Sequence, residues 1–562
     1  MNQLKTGDYA IFAVYFVFIS LYGYYVYNRK RSSQQGAKDF FLAEGSLTWW
    51  AIGASLIASN ISAEHFIGMS GSGFALGLAI STYEWMAAAT LIIVAVFLLP
   101  VYLKNKIYTM PQFLLQRYNS TVSTVMAIFW LLVYVFVNLT SIIYLGALAI
   151  SSVSQIPFAV SVAGLAFFSV IVTLGGMKVI GYTDVVQVFV LILGGLTTTY
   201  LALTLVSGHF GFGKDVFKGL LLLKEKAPEH FHMIFNKSNS YFKDLPGLSV
   251  LIGGMWINNL NYWGCNQYII QRALGANLKT ARSGILFAAF LKLLIPVIAV
   301  LPGIAAYVLY NQGMFKSNMI DAASGAVKPD HAYPTLLNLL PEGMKGLAFA
   351  ALVAAVIASL AGKANSISTI FTLDIYKKFF NKEASEKKLI STGRWAVIIS
   401  MIIACLIAPA LSTLDQAYQF IQEYVGFISP GVLAIFLLGI FWKRTSSAAA
   451  LSAALLTIPL SIILKFLPKM MDLHFLAAYG FSSPVKQSDG TTLYEIPFLD
   501  SMAIVFVILL AVMLLVSLLD PKTRDAKRII EVDKGLFRSS PSFIIGSVLI
   551  LGILSALYIA FW

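Results

Sequence analysis

The sequence predicts an all-α polytopic membrane protein with fourteen transmembrane helices. Three observations predict it. Of the 562 residues, 58% are hydrophobic and 12% charged, whereas a soluble domain is near half apolar and a quarter charged. Apolar runs of about 20 residues, enough to cross a hydrocarbon core as helix, recur from end to end. Basic residues alternate between successive connections, as membrane topology requires.

The apolar segments run roughly over 8–27, 48–73, 77–102, 121–153, 157–175, 182–206, 247–268, 284–310, 345–375, 391–409, 417–442, 446–467, 499–519 and 541–561. The first lacks a basic leader and is followed by its positive cluster, so it reads as a retained helix rather than a cleaved signal. Every connection after an odd-numbered segment is basic. Arg29, Lys30, Arg31 and Lys38 lie in the first, and Lys522, Arg524, Lys527, Arg528, Lys534 and Arg538 in the last; together these connections hold 25 of the 40 Lys and Arg. The short connections 74–76, 154–156 and 410–416 hold none. The positive-inside rule then puts the odd connections in the cytoplasm and both termini outside, as expected of a multi-pass plasma (inner) membrane protein. The net charge of +14 is thereby a topology signal, not a nucleic-acid footprint. Cys265 and Cys405, both inside apolar runs, are too few for a disulfide framework or metal cluster.

Segment two (Trp49 to Phe66) and segment seven (Gly253 to Trp263) each carry a polar, weakly helical stretch at mid-membrane depth. Helices interrupted at corresponding places in two halves mark inverted-repeat transporters. Five segments separate the two, which fits two five-helix units with the first helix of each broken. Unwound backbone persists in a bilayer only where it is buried or lines a cavity.

Few ionisable groups lie within the spans: Glu64, His65, Glu84, Asp184, Lys292, Lys363 and Glu423. A charge in hydrocarbon costs several kcal/mol, so each is a candidate functional group. Asn60, Asn138, Asn259, Gln419 and Gln422 add amides, and Tyr83, Tyr262, Trp263 and Tyr418 add aromatic faces. Convergent amides, carboxylates and an ammonium around aromatic plates suit a sugar, with its hydroxyl rim and apolar C–H face. An alternative for Glu84 and Lys292 is a buried ion pair that only sets helix register. A cation needs hard oxygens, offered by unwound carbonyls near Ala58 and Ile61 and by the Ser359 hydroxyl. Ser359 also reads simply as a small packing residue.

Gly208 to Lys214 imitates a phosphate loop, but Asp215 stands where the magnesium-binding hydroxyl should be. No ATPase machinery follows, so a gradient must supply the energy. His65 beside Glu64 lacks a nucleophile or metal set, so no enzyme is expected. No cytoplasmic connection is long enough for a signalling domain.

The stretches Ala54–Glu64, Phe66–Gly73, Tyr83–Met86, Asn266–Arg272, Leu301–Tyr307 and Ile421–Tyr424, in order over nearly the whole chain, resemble the solute:sodium symporter family, nearest its sugar-carrying bacterial members. The resemblance implies a LeuT-type 5+5 inverted-repeat core. Residues 1–47 would be an extra N-terminal helix and cytoplasmic loop, 48–206 the first five-helix repeat, 207–246 an extracellular loop, 247–442 the second repeat, and 443–562 three additional helices. It implies sodium-coupled uptake of a hexose such as galactose or glucose, with sodium co-transported and no organic cofactor. Glu84, Asn259, Lys292 and Gln422 match sugar-bonding positions, and Asn60 and Tyr262 the inner gate. Met69, Tyr83 and Tyr418 match the outer gate. Ala58, Ile61, Ala355 and Ser359 match sodium ligands, and Asp184 a carboxylate on the sodium exit route. Four positions depart from the pattern: His65 replaces a sugar-binding glutamine, Ala87 and Ala358 replace serines, and Lys363 replaces an apolar residue. They leave open another polyhydroxy solute such as inositol or sialic acid, weakened or absent sodium dependence, or a solute sensor on the same fold. For Lys363 three expectations stand: an ammonium that weakens or substitutes for sodium, a partner for Asp184, or a side chain snorkelling to the cytoplasm.

Overall fold

In the computed structural model, residues 4–29, 47–154, 156–320, 325–413, 417–486, 490–521 and 530–562 are described. Lys30, Arg31, Lys38, Lys522, Arg524, Lys527, Arg528 and the side chains of Arg29, Lys178 and Gln419 lie outside the described residues. The chain is mostly helical, with one departure from an all-α fold: β1 (Ser483–Lys486) and β2 (Thr492–Glu495) form an antiparallel hairpin.

Among the described residues, eleven helical stretches are long and apolar enough to cross a membrane. Fourteen were expected, and the three that fall out are segments two, five and seven. Segment five is α7 (Phe158–Leu174), which is 17 residues long. Segment seven falls out because it is interrupted; segment two is split, and its second part runs on into segment three as one helical stretch, Glu64–Lys104.

Segment two begins as α2 (Trp49–Asn60) and leaves helical geometry at Ile61, where φ is −74° and ψ 124°. It resumes as a wide π-helical turn over Glu64–Met69 and then as α3 (Ser70–Leu76). At Gly77, with φ +72°, the chain turns into α4 (Thr82–Ile93). A side chain there would meet the His230 carbonyl at 2.4 Å, so glycine alone suits both the left-handed backbone and the contact.

Segment seven is interrupted on both sides of its asparagine-rich turn. That turn is helical, α9 (Gly254–Gly264), with one break before it at Gly253, where φ is −122° and ψ −123°, and another after it at Cys265 and Asn266, before α10 (Gln267–Leu274). Three asparagines in one turn lower propensity, but burying their side chains on one face outweighs that small deficit. The second break is held by Tyr134, whose hydroxyl donates to Asn266 Oδ1 and accepts from the Gln267 amide at 3.1 Å.

α11 (Leu278–Asn311) lies along α2, α3 and α4. Its Gly303 permits backbone contact, since a Cβ there would sit 2.0 Å from the Ser70 carbonyl. α8 (Gly176–His209) packs between α2 and α12 (Met344–Ile370), and α1 (Thr6–Arg29) covers both α8 and α12. α9 packs against α4, α15 (Ser429–Phe441) and α17 (Phe498–Leu519). α13 (Glu386–Ile407), α16 (Ser447–Phe466) and α18 (Pro541–Ala560) flank the core, and α14 (Ala417–Gly426) lies against the π-helical turn. Two further helices, α5 (Ser120–Leu132) and α6 (Thr140–Ser154), are joined through a π-helical run. Val14, Phe189, Leu515 and Val548 are exposed on the outside, the surface expected toward acyl chains.

Candidate functional site

Between the two interruptions lies a narrow pocket of about 80 Å³. α2 brings Asn60 to its edge and the π-helical turn brings Glu64 and His65. α4 contributes Tyr83 and Glu84, α11 Lys292, and α9 the Asn258, Asn259, Asn261, Tyr262 and Trp263 group. α14 supplies Tyr418 and Gln422, and α12 supplies Lys363.

These groups form a connected hydrogen-bond network. The Lys292 ammonium donates to Glu84 Oε2 at 2.5 Å and to Asn60 Oδ1. Asn60 Nδ2 donates to the Tyr262 hydroxyl at 2.9 Å. His65 Nε2 lies 3.4 Å from the other Glu84 oxygen. Lys292 also faces the Trp263 ring, 4.9 Å from its centroid, which adds a cation–π attraction. Both charges are therefore paired and almost wholly buried, the condition under which ions persist in a low-dielectric interior. The Asn259 side-chain nitrogen, buried in the lining, has no hydrogen-bond partner among the described residues. A buried unpaired amide costs about 1–3 kcal/mol, which a bound hydroxyl would recover.

Tyr83 and Tyr418 meet edge to face with centroids 5.6 Å apart, and His65 packs its edge on Tyr418. Gln422 donates to the Tyr418 hydroxyl at 2.9 Å. Met69 is buried nearby but does not line the pocket. Asn138 lines it; Glu423 does not, pairing instead with Lys465 at 2.5 Å.

Ala58, Ile61, Ala355 and Ser359 sit behind the pocket, where α2 unwinds against α12. The carbonyls of 58–61 fall where the helix no longer supplies amides four residues on. Ser359 Oγ donates to the Ser59 carbonyl at 3.0 Å, which ties the two helices together. Asp184 lies outside the pocket and is not paired with Lys363: its Oδ2 accepts from Ser55 Oγ at 2.5 Å and lies 3.8 Å from the Arg272 guanidinium. Lys363 is 2% exposed, so it does not snorkel out.

Residues not anticipated include Tyr134, Asn266 and Tyr268, which line the pocket on one side. Ser141 and Ser62 bond the Glu64 carboxylate at 2.7 and 3.3 Å. Small hydroxyl residues in apolar segments are ordinary packing residues by sequence, so only the fold shows which carboxylate they serve. Tyr134 and Asn266 were detectable as polar groups at membrane depth.

A ring of amides, two carboxylates and two ammonium groups, enclosed where two membrane helices are interrupted, defines a carrier for a small hydrophilic solute. Residues 40–457 match the model of the sodium:solute symporter family. The chain is 45% identical to a sodium/glucose cotransporter of Vibrio parahaemolyticus across the full length of both proteins. It is 33% identical to the human sodium/myo-inositol cotransporter 2, over 80% of this chain and 68% of that protein. Its fold is similar to a solved Na+-coupled sialic acid symporter in an outward-open state, with a TM-score of 0.74 at 22% identity over 92% of this chain and 98% of the other. This chain belongs to the sodium:solute symporter family. It is a multi-pass membrane transporter that couples solute movement to sodium, not an enzyme.

Proposed function

We propose that the protein takes up a neutral polyhydroxylated solute, a hexose such as glucose or galactose, together with sodium. The observation that carries the reading is the unbroken chain from Tyr262 through Asn60 and Lys292 to Glu84 and His65. It offers donors and acceptors in alternation around one rim, and an aromatic ring on either side. Glu84 and Lys292 bond solute hydroxyls, joined by Asn259, His65 and Gln422. Asn60 and Tyr262 form the inner gate; Met69, Tyr83 and Tyr418 the outer one.

Sodium binds on Ala58, Ile61, Ala355 and Ser359 and leaves past Asp184. Each sodium entering with the membrane potential releases about 2.3 kcal/mol per 100 mV. In an alternating-access cycle, sodium braces α2 against α12 and favours the outward-open state. The solute then closes the outer gate over itself.

We extend the same reading to architecture: a LeuT-type core of two inverted five-helix repeats, over 48–206 and 247–442, within fourteen helices. The first helix with its loop (1–47), the outer loop 207–246 and the three last helices (443–562) frame that core. Both termini face outside across the inner membrane. The likeness to a sodium/myo-inositol cotransporter supports a second reading, a cyclic polyol as solute.

Counterflow into proteoliposomes tests both readings. Labelled glucose, galactose and myo-inositol are offered against a panel of hexoses and polyols, with and without sodium. Saturable, sodium-stimulated exchange of one of them is expected. Exchange of none, in protein that remains folded, would refute the proposal.

A further inference from the structure

We infer that Lys363 is a built-in cation of the seam between α2 and α12, competing with sodium for the oxygens there. The inference rests on reading that seam as the sodium site. Lys363 lies one turn beyond Ser359 on α12, and helical side chains lean back toward the N-terminus. Its ammonium accordingly reaches Ser359 Oγ at 3.5 Å. The same hydroxyl donates to the Ser59 carbonyl, so the ammonium touches the oxygen set assigned to sodium. Ala358, beside Ser359, adds no side-chain oxygen.

The charge has no other exit. Lys363 is buried, and Asp184 is held by Ser55 and Arg272. The Glu64 carboxylate lines the same pocket, and the Lys363 ammonium faces the Tyr268 ring at 5.0 Å. Glu64, Tyr268 and Lys363 all line the solute pocket. Two positive charges sharing one hydroxyl repel strongly where the dielectric is low. Sodium can enter only by driving the ammonium off Ser359 toward Glu64 and Tyr268. Its arrival thus shifts a positive charge within the solute pocket toward Glu64 and Tyr268, and sodium binding is weakened by the work of that displacement.

Sodium titration of the purified full chain without any solute tests this. Thermal stabilisation is read while sodium replaces choline at constant ionic strength. Lys363→Met is expected to lower the half-saturating sodium concentration at least tenfold relative to the wild type. An unchanged value within twofold, a higher one, or no sodium response in the folded variant overturns the inference. Should Lys363→Met fail to fold because Glu64 loses its counter-charge, the double variant Lys363→Met/Glu64→Gln keeps the site neutral and carries the same expectations. Ser359→Ala separates the two failures: a sodium response that survives it unchanged removes the seam as the sodium site, whereas a lost response beside an unchanged Lys363→Met value removes only the role of Lys363.

Discussion

Replacing Glu84 by alanine leaves the Lys292 ammonium, whose side chain has no exposed surface, without its carboxylate. Removing one partner of a buried ion pair costs about 3–5 kcal/mol, because the remaining charge is stranded. Asn60 Oδ1 and the Trp263 ring still face the ammonium, which places the loss toward the lower end of that range. Lys292→Met strands Glu84 in turn, with His65 still beside it. The double variant Glu84→Gln/Lys292→Met strands neither charge and is expected within about 1 kcal/mol of the wild type, since a neutral replacement of a buried pair is often tolerated. Solute affinity behaves differently. A hydrogen bond to a charged group is worth about 1.5–3 kcal/mol, and about 1.4 kcal/mol is tenfold. All three variants are therefore expected to bind solute about 10- to 150-fold more weakly. Thermal unfolding in detergent reads stability, and solute competition reads affinity. Single variants as stable as the double one would refute the coupled pair. A double variant with undiminished affinity would refute its role in the pocket.

Gly303→Ala places a methyl group against the Ser70 carbonyl, 2.0 Å away without relaxation; a loss of about 1–3 kcal/mol from overpacking is expected in thermal unfolding. Gly164→Ala on α7, with nothing within 4 Å, is the matched control and should be neutral or stabilising. Asp244, in the loop before segment seven, has its carboxyl pushed up to about 6 by burial, against the pull of Lys243 and aided by Glu423 and Glu495. The folded state thus holds this proton more tightly than the unfolded chain, and stability from this group falls as pH rises from about 4 through about 6. Asp244→Asn is expected to raise the melting temperature at pH 7.5, with the gain vanishing near pH 4; a gain independent of pH would contradict the assignment.

Much of this site was legible because charge is so costly in a bilayer. In a chain with so few intramembrane ionisable groups, Glu64, His65, Glu84, Lys292 and Lys363 stood out, and all five line one pocket. Two others from the same list lie outside that pocket. Glu423 pairs with Lys465, and Asp184, expected on an ion route rather than in the solute site, is held by Ser55 and Arg272. A carboxylate's cost says that it needs a partner, not which one. The interruption in segment two fell where a polar stretch predicted it, at Ile61. In segment seven the asparagine-rich run Gly254–Gly264 stayed helical, with breaks before it at Gly253 and after it at Cys265 and Asn266. Helix propensity differs by less than 1 kcal/mol between such residues, so packing decides between them.

By itself, the sequence determined that this protein lives in lipid and roughly where it crosses. Hydrophobic length and basic residues act locally, segment by segment. Only the tertiary structure decided which polar groups meet. Lys292 finds Glu84 from 208 residues away, and Ser359 finds the Ser59 carbonyl from 300 residues away. Those meetings depend on how α11 and α12 pack against a helix that stops short, and packing is a property of the whole bundle rather than of any one segment.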